Sequence, residues 1–365
     1  MKFECISDNL NQSIQQVIKA CSKSTNQSTL NDIHIQLEDH LLTFKSTNLE
    51  LFCEKSISVK GIQNGVCIIK GETLFKTITL LTKLNTPIVC ELIDGVFNIS
   101  YNKNIIEIKT TPYEDFPGAP SQGEYITSLP IKTISNLFRD VMFCSATTEI
   151  KPEIASIYLY TQNGNLFVVA TDSYRLAEKN IPLNIENDFA LLIPQKHISE
   201  ILSILDLEEG DVSIYKKEGI LSFETTTLTL SINIITGQFP DYRQLFPKES
   251  VTTLVLEKEE TQKALTLTTY FTEQYSSVLL KTNKLENEIT FSSKNESVGS
   301  VTNTIKINQE GEDIEAQYNN RYFLDVFSHI QGNKIKLFFT TPNRPMVIKS
   351  LEDESFTYLL MPLNK

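Results

Sequence analysis

Hydrophobic and polar positions along the chain follow two rhythms that alternate and then recur. A period of two marks LTFKSTNLELF at 42–52, LFVVATDSYRL at 166–176 and ITFSSKNESVG at 289–299. Each reads as a strand, a small polar turn and a return strand. A helical period then appears in GETLFKTITLLTKL (71–84), PQKHISEILSILDL (194–207) and NNRYFLDVFSHIQ (319–331). In the second of these, Ile198, Ile201, Leu202 and Leu205 stand at i, i+3, i+4 and i+7 on one apolar face. Its Pro194 suits a first helical turn. A further helix precedes each hairpin, at 8–21, 129–146 and 256–271, and alternating strand runs close each set, at 88–111, 212–235 and 335–363.

The order helix, strands, helix, strands therefore occurs three times. The turn residues Thr47, Thr171 and Ser293 lie 124 and 122 residues apart, and the second helices start 123 and 125 residues apart. Such a period means one supersecondary unit written repeatedly. Each unit has two helices and strands enough for two antiparallel sheets, an α+β arrangement with helices on the inner sheet faces and water on the outer ones. Pro, Gly and polar residues cluster at Gly118–Gly123 and Pro247–Ser250, which places three domains at 1–121, 122–249 and 250–365.

Composition narrows the function. The chain has 365 residues, 41% hydrophobic and 21% charged, with no tryptophan. No apolar run approaches the roughly 18 residues of a membrane span, and MKFECISDNLNQS lacks a signal-peptide core, so the expected location is the cytoplasm. The six cysteines form no C-x-x-C pair and read as small buried hydrophobes of a reducing compartment. A net charge of −12 argues against coating nucleic acid with the whole surface, but leaves room for one less acidic face.

Enzyme chemistry finds little support. There is no Walker-type loop and no G-x-G-x-x-G, and His34, His40, His197 and His329 show no metal-ligand spacing. No cofactor or metal is implied. Asp172 beside Arg175 reads as an ion pair in a turn, and Glu257, Glu259 and Glu260 as a first helical turn favoured by the helix dipole.

Five stretches carry a family resemblance: MKFECISDNL at the start, YEDFPGAP at 113–120, ATDSYRLA at 170–177, GQFPDYRQLFP at 237–247 and MPLNK at 361–365. From first residue to last the chain resembles the bacterial DNA polymerase III beta subunits, the sliding-clamp family. The resemblance implies three clamp domains per chain and a head-to-tail homodimeric ring, its helices facing duplex DNA without sequence preference. It implies a non-catalytic processivity factor that tethers the replicative polymerase and is handled by a clamp loader. Other DNA-processing partners are expected to dock through short apolar and aromatic peptides.

Residue by residue, the resemblance turns Lys19, Lys23, Lys76, Lys83, Lys132, Arg139 and Lys196 toward DNA. Asp8, Glu72, Asp140, Glu200 and Asp206 stand among them, so the lining is close to neutral. A peptide socket is implied at Ile154, Thr171, Ser173, Tyr174, Arg175, Leu176, Pro240 and Leu245, closed by Asn319, Tyr322, Met346, Met361, Pro362 and Leu363. On this reading the turn at 171–176 exposes an apolar and aromatic edge for a partner to bury. The ring contact is implied at Ile106 and Ile108 meeting Tyr270 and Phe271, as exposed apolar edge positions, with Lys103 and Glu296 as an ion pair. Two positions depart from the family pattern: ATD-Ser-Tyr-Arg replaces the commoner ATD-Gly-His-Arg, and Gln244 follows FPDYR where Arg often stands. The alternative is a repeat-built scaffold that binds peptides and encloses no DNA.

Overall fold

Each expected hairpin forms, and the sheets it enters run past the boundaries read from composition. The computed structural model describes residues 1–22, 28–82, 87–112, 116–148, 150–185, 187–247, 250–272, 276–341 and 344–363. Its α-helices are α1 (Ser7–Val17), α2 (Gly71–Thr82), α3 (Ile131–Met142), α4 (Ile198–Leu205), α5 (Lys258–Thr269) and α6 (Asn320–Asp325). Pro194 does not open a helix. It ends the strand Ala190–Pro194 opposite Ser156, and a 3-10 turn at Gln195–His197 leads into α4. A strand terminus tolerates the missing N–H that a ladder interior would not.

Two compact units make up the chain. The first comprises Met1–Ser135 and Lys196–Thr236, the second Asn136–Gln195 and Gly237–Lys365. In the first, a five-stranded sheet runs Lys60–Gln63, Lys2–Ile6, Pro87–Ile93, Val96–Tyr101, Asn104–Lys109. An eight-stranded sheet runs Glu124–Pro130, Asp211–Lys217, Ile220–Glu224, Leu228–Asn233, Leu51–Ser58, Leu41–Thr47, Asp32–Glu38, Gly65–Lys70. The second unit has a nine-stranded sheet in the order Ala190–Pro194, Ser156–Gln162, Asn165–Thr171, Arg175–Pro182, Phe356–Leu360, Met346–Ser350, Lys334–Phe339, Thr252–Glu257, Asn308–Glu310. Its four-stranded sheet runs Gly299–Lys306, Glu288–Asn295, Ser277–Asn283, Glu315–Asn319.

The long sheets are two shorter ones fused at an antiparallel seam. In the first unit Leu51 lies opposite Ile232 and Cys53 opposite Leu230. In the second, Arg175 lies opposite Leu360 and Ala177 opposite Tyr358. Leu51, Cys53, Leu230 and Ile232 are buried, so apolar positions from both strands share the covered face that alternation supplies. The repeat is therefore visible in the seams as well as in the element order.

Helices cover these faces. Leu10, Ile14 and Val17 of α1 are buried against Leu41–Thr47, Leu51–Ser58, α2 and α4. The Gln16 amide donates to the Ile204 carbonyl at 3.0 Å and to the Glu208 carboxylate at 2.7 Å. Glu208 also takes the Lys55 ammonium, with side chains 8% and 9% exposed. In the second unit Phe291, Phe323, Phe327 and Tyr318 build the core beneath α5 and α6.

The third hairpin corrects the alignment of the turns by one position. Ser293 points inward and donates to the Phe271 carbonyl at 2.9 Å, as Ser46 donates to the Val17 carbonyl. Ser293 is thus the counterpart of Ser46, and Lys294 takes the place of Thr47 and Thr171.

Candidate functional site

The turn at 171–175 is built from local side-chain chemistry. Thr171 Oγ1 donates to the Arg175 carbonyl at 2.7 Å and accepts from the Ser173 amide at 3.1 Å. Asp172 Oδ1 accepts from the amides of Tyr174 and Arg175, both at 3.0 Å. Short polar side chains that mimic backbone acceptors close such turns, and Ser173 sits at φ +77°. The turn at 47–51 repeats this set: Thr47 Oγ1 with the Leu51 carbonyl and the Leu49 amide, and Asn48 Oδ1 with the amides of Glu50 and Leu51. Leu49 takes φ +72°.

What the second turn displays differs from the expectation. Tyr174 is 63% exposed, whereas Leu176 is 1% exposed and Met346 is fully buried. Leu176 is paired opposite Leu359 across the seam and Met346 opposite Leu360; since Leu359 and Leu360 are neighbours that point to opposite faces and both are buried, the sheet is covered on both sides here. Leu176 and Met346 are thus covered and present no edge. Arg175 is also withdrawn: Nε donates to Asp172 at 2.9 Å, Nη1 to Asp325 at 2.6 Å, and its guanidinium lies 4.2 Å from the Tyr322 ring centroid. Asp325 and Phe143, whose ring lies 5.5 Å from that guanidinium, were not foreseen, since nothing local ties them to the turn.

Around this turn several expected residues do meet. The Ala146 amide is shared between the carbonyls of Ile154 and Thr171, which brings Ile154 to the turn. The tail runs alongside: the Met361 amide donates to the Tyr174 carbonyl at 2.9 Å, Pro362 bridges to Tyr318, and the Leu363 amide donates to Gln317 at 2.7 Å. Asn319 caps α6 by accepting from the Tyr322 amide at 3.1 Å.

Pro240 and Leu245 belong to a segment held by a relay that runs from the exposed Arg243 to the buried Glu178. Arg243 donates to the Tyr160 hydroxyl, the Tyr160 and Tyr242 hydroxyls are 2.6 Å apart, and Tyr242 donates to Glu178. Burial pushes the Glu178 carboxyl and the Tyr242 hydroxyl above their ordinary ranges, with Tyr242 and Arg243 partly restoring Glu178 and the Glu178 charge further raising Tyr242. Beyond the relay, Leu245 lines a cavity of about 280 Å³ with Gln244, Phe246, Pro247, Thr340, Thr341 and Arg344.

Three family models together cover the chain: the N-terminal domain of the DNA polymerase III beta subunit matches residues 1–120, the central domain 128–241 and the C-terminal domain 243–364. The chain belongs to the DNA polymerase III beta-subunit family. It is a sliding clamp of DNA replication, a non-catalytic processivity factor and not an enzyme. It is 25% identical over 375 residues to the beta sliding clamp of Bacillus subtilis (strain 168), covering 100% of this chain and 99% of that one. The sliding clamp of Haemophilus influenzae is 24% identical, with both chains covered fully. Among solved structures, the Bacillus subtilis clamp superposes with a TM-score of 0.93 at 24% identity, covering 100% and 99% of the two chains. A Pseudomonas aeruginosa clamp bound to griselimycin superposes at 0.94 and 19% identity, with both chains covered fully.

For a clamp the lysines on the helices matter next. Lys19 and Lys132 are exposed and have no ion-pair partner among the described residues. Lys76 pairs with Glu72 at 2.6 Å and Lys196 with Glu50 at 3.0 Å, while Arg139 is half-buried. Lys23 and Lys83 lie outside the described residues. Two of the seven cations expected to face DNA, Lys76 and Lys196, are thus already neutralised by carboxylates.

The expected ring-contact residues are arranged unevenly. Strand Asn104–Lys109 is an outer strand of its sheet, and so is Gly299–Lys306. Ile108 is buried and Ile106 half-buried, while Ile105 is 66% exposed. Ile106 and Ile108 pair opposite Ile99 and Phe97, so the even positions already face the core. The expectation that both are displayed is corrected by that register. Tyr270 is 73% exposed and Phe271 half-buried, and Lys103 and Glu296 are both exposed. Among the described residues no helix is long and apolar enough to cross a membrane, and no cluster of three or more His, Cys, Asp or Glu side chains is placed to hold a metal.

Proposed function

We propose that two copies close head to tail into a ring around duplex DNA in the cytoplasm. There the ring holds the replicative polymerase and other peptide-bearing partners near the primer end. The observation that carries this is the unfinished third seam. Leu51–Ser58 and Arg175–Pro182 each receive a later strand of the same chain. Their counterpart, Gly299–Lys306, receives none among the described residues, and the strand equivalent to Leu228–Asn233 and Phe356–Leu360, Asn104–Lys109, reaches no such acceptor. A second copy supplies both, and two heterologous contacts of one kind close a ring. Carrying over the register of the two existing seams sets Val301 of one copy opposite Ile106 of the other. Both are half-buried, as a seam position awaiting cover should be. In this register Lys103 lies at the far end from Glu296, so Glu296 comes beside Lys109 instead.

Retention is then mechanical. Few unpaired cations on the helices among the described residues and a net charge of −12 give little phosphate attraction, which permits sliding because strong counterion-releasing contacts would hold the ring in place. Tethering raises the partner's effective concentration at the end of the primer. The test is topological: once loaded, the protein should persist on nicked circular DNA and run off linear DNA of the same length. Equal retention on both would leave only the peptide scaffold that encloses no DNA, which no observation favours.

The socket reading assigns peptide binding to Tyr174, Ser173, Thr171 and Ile154, with Met361, Pro362 and Leu363 alongside, Asn319 and Tyr322 on α6, and Pro240 and Leu245 on the anchored segment. Arg175, Leu176 and Met346 hold that surface in place. Deleting Met361–Lys365 should abolish binding of apolar partner peptides and leave the dimer intact by sedimentation; unchanged peptide affinity would remove the assignment.

A further inference from the structure

The cavity beside Leu245 carries a cation, Arg344, that no ion pair among the described residues engages. Its wall is apolar at Leu245, Phe246 and Pro247 and polar at Thr340 and Thr341, and Arg344 is exposed at its edge. The backbone amide of Arg344 donates to the Thr341 carbonyl at 3.0 Å, which fixes the base of the side chain. Among the described residues its guanidinium has no ion-pair partner. In a chain with 45 acidic and 33 basic side chains, Arg175 is spent on two carboxylates and Arg243 on a tyrosine and a glutamate. Gln244, which also lines the cavity, donates to the Asp241 carboxylate at 2.6 Å. The Thr340 hydroxyl, on the same wall, is shut off from solvent and has no hydrogen-bond partner among the described residues.

We propose that Arg344 reads an acidic side chain on the partner peptide, so that the cavity selects an apolar anchor flanked by Asp or Glu. This rests on the socket reading above and adds the chemistry of the ligand. An apolar side chain fills the space between Leu245, Phe246 and Pro247, and its neighbouring carboxylate meets the guanidinium in a charge-assisted pair. A nucleic-acid strand fits less well, because a single cation against an apolar wall offers its phosphates one contact and its sugars none. The pair sits at the rim, so it adds selectivity and encounter rate more than raw affinity.

The experiment uses the full-length dimer and two fluorescent eight-residue peptides that share leucine and phenylalanine anchors and differ only in Asp against Asn beside them. Anisotropy titrations at low salt should give the Asp peptide an advantage of about threefold to tenfold, shrinking as salt rises. Arg344→Gln should erase that advantage and leave the Asn peptide unchanged, and Arg344→Glu should favour a Lys version instead. Equal affinities on the natural protein, an advantage that survives Arg344→Gln, or displacement of the Asp peptide by single-stranded DNA would each overturn the proposal. Failure of the socket reading looks different: neither peptide binds, or Leu245→Asp leaves both affinities unchanged. Sedimentation and circular dichroism of the variants establish that the ring and fold persist.

Discussion

Burial decides the chemistry of individual side chains here. The Cys21 and Cys67 thiols are pushed up to about 12 by loss of solvent, and those of Cys53, Cys90 and Cys144 are raised by the same cause. Since the thiolate is the reactive form, a disulfide reagent at pH 8 should label at most Cys5 quickly in the folded protein, and all six after denaturation. Fast labelling of several would contradict the packing. Glu178 gives a pH signature. Its folded-state value is raised by burial, so the folded chain keeps a proton that the unfolded chain has released. That contribution to stability is complete below the ordinary value of 4.5 and is lost as pH climbs through the raised one. Glu178→Gln keeps an acceptor for Tyr242 without the charge, and should flatten the urea midpoint against pH above 4.5. An unchanged slope would place the proton elsewhere.

The turns were legible because their chemistry is local: Thr171 and Asp172 need only residues within four positions to close a loop. Exposure was not legible. Alternation states that Leu176, Met346 and Ile108 each share a face with the residues two positions away, but whether that face is covered depends on strands far away in the chain. Arg344 carries no local signal for the same reason, as its cavity joins segments almost a hundred residues apart.

At the scale of elements, the tie between α1, α4 and the first seam rests on Gln16, Lys55 and Glu208. Removing one partner of a buried pair leaves an uncompensated charge, which costs about 3–5 kcal/mol. Glu208→Ala should lose roughly that much in urea unfolding, and adding Lys55→Met should recover a large part; a loss under ~1 kcal/mol would show that the pair is solvated. The proposed third seam is testable by its register. Directly opposed positions of an antiparallel pair bring Cβ atoms to about 4.5–5.5 Å, so Val301→Cys with Ile106→Cys should oxidise to a covalent dimer. Shifting one position, with Ile105→Cys, points the thiol to the other face and should cross-link poorly. The reverse result would refute the register. Sequence periodicity revealed that strands repeat, yet strand order is a matter of which edges meet. The seams join partners more than 170 residues apart, which no local pattern encodes.

At the scale of the whole molecule, the central third contributes one half-sheet to each compact unit. Boundaries read from Pro and Gly clusters mark where the chain can bend, not where its hydrogen bonding stops. A fragment spanning 122–249 would leave Leu228–Asn233 and Arg175–Pro182 without their partners, exposing two apolar edges of the kind that aggregate. It should be insoluble or oligomeric when expressed alone, whereas a monomeric fragment with cooperative unfolding would show that the seams are dispensable.

The two open strands Asn104–Lys109 and Gly299–Lys306 also govern how such a hoop can be opened. Each copy brings one giver and one taker, so a closed pair has two identical joints. Parting only one admits a double helix while the other still holds the copies together. In the proposed ring the gate thus breaks one of two equal sets of contacts, and an opened ring can shut again without finding a new mate.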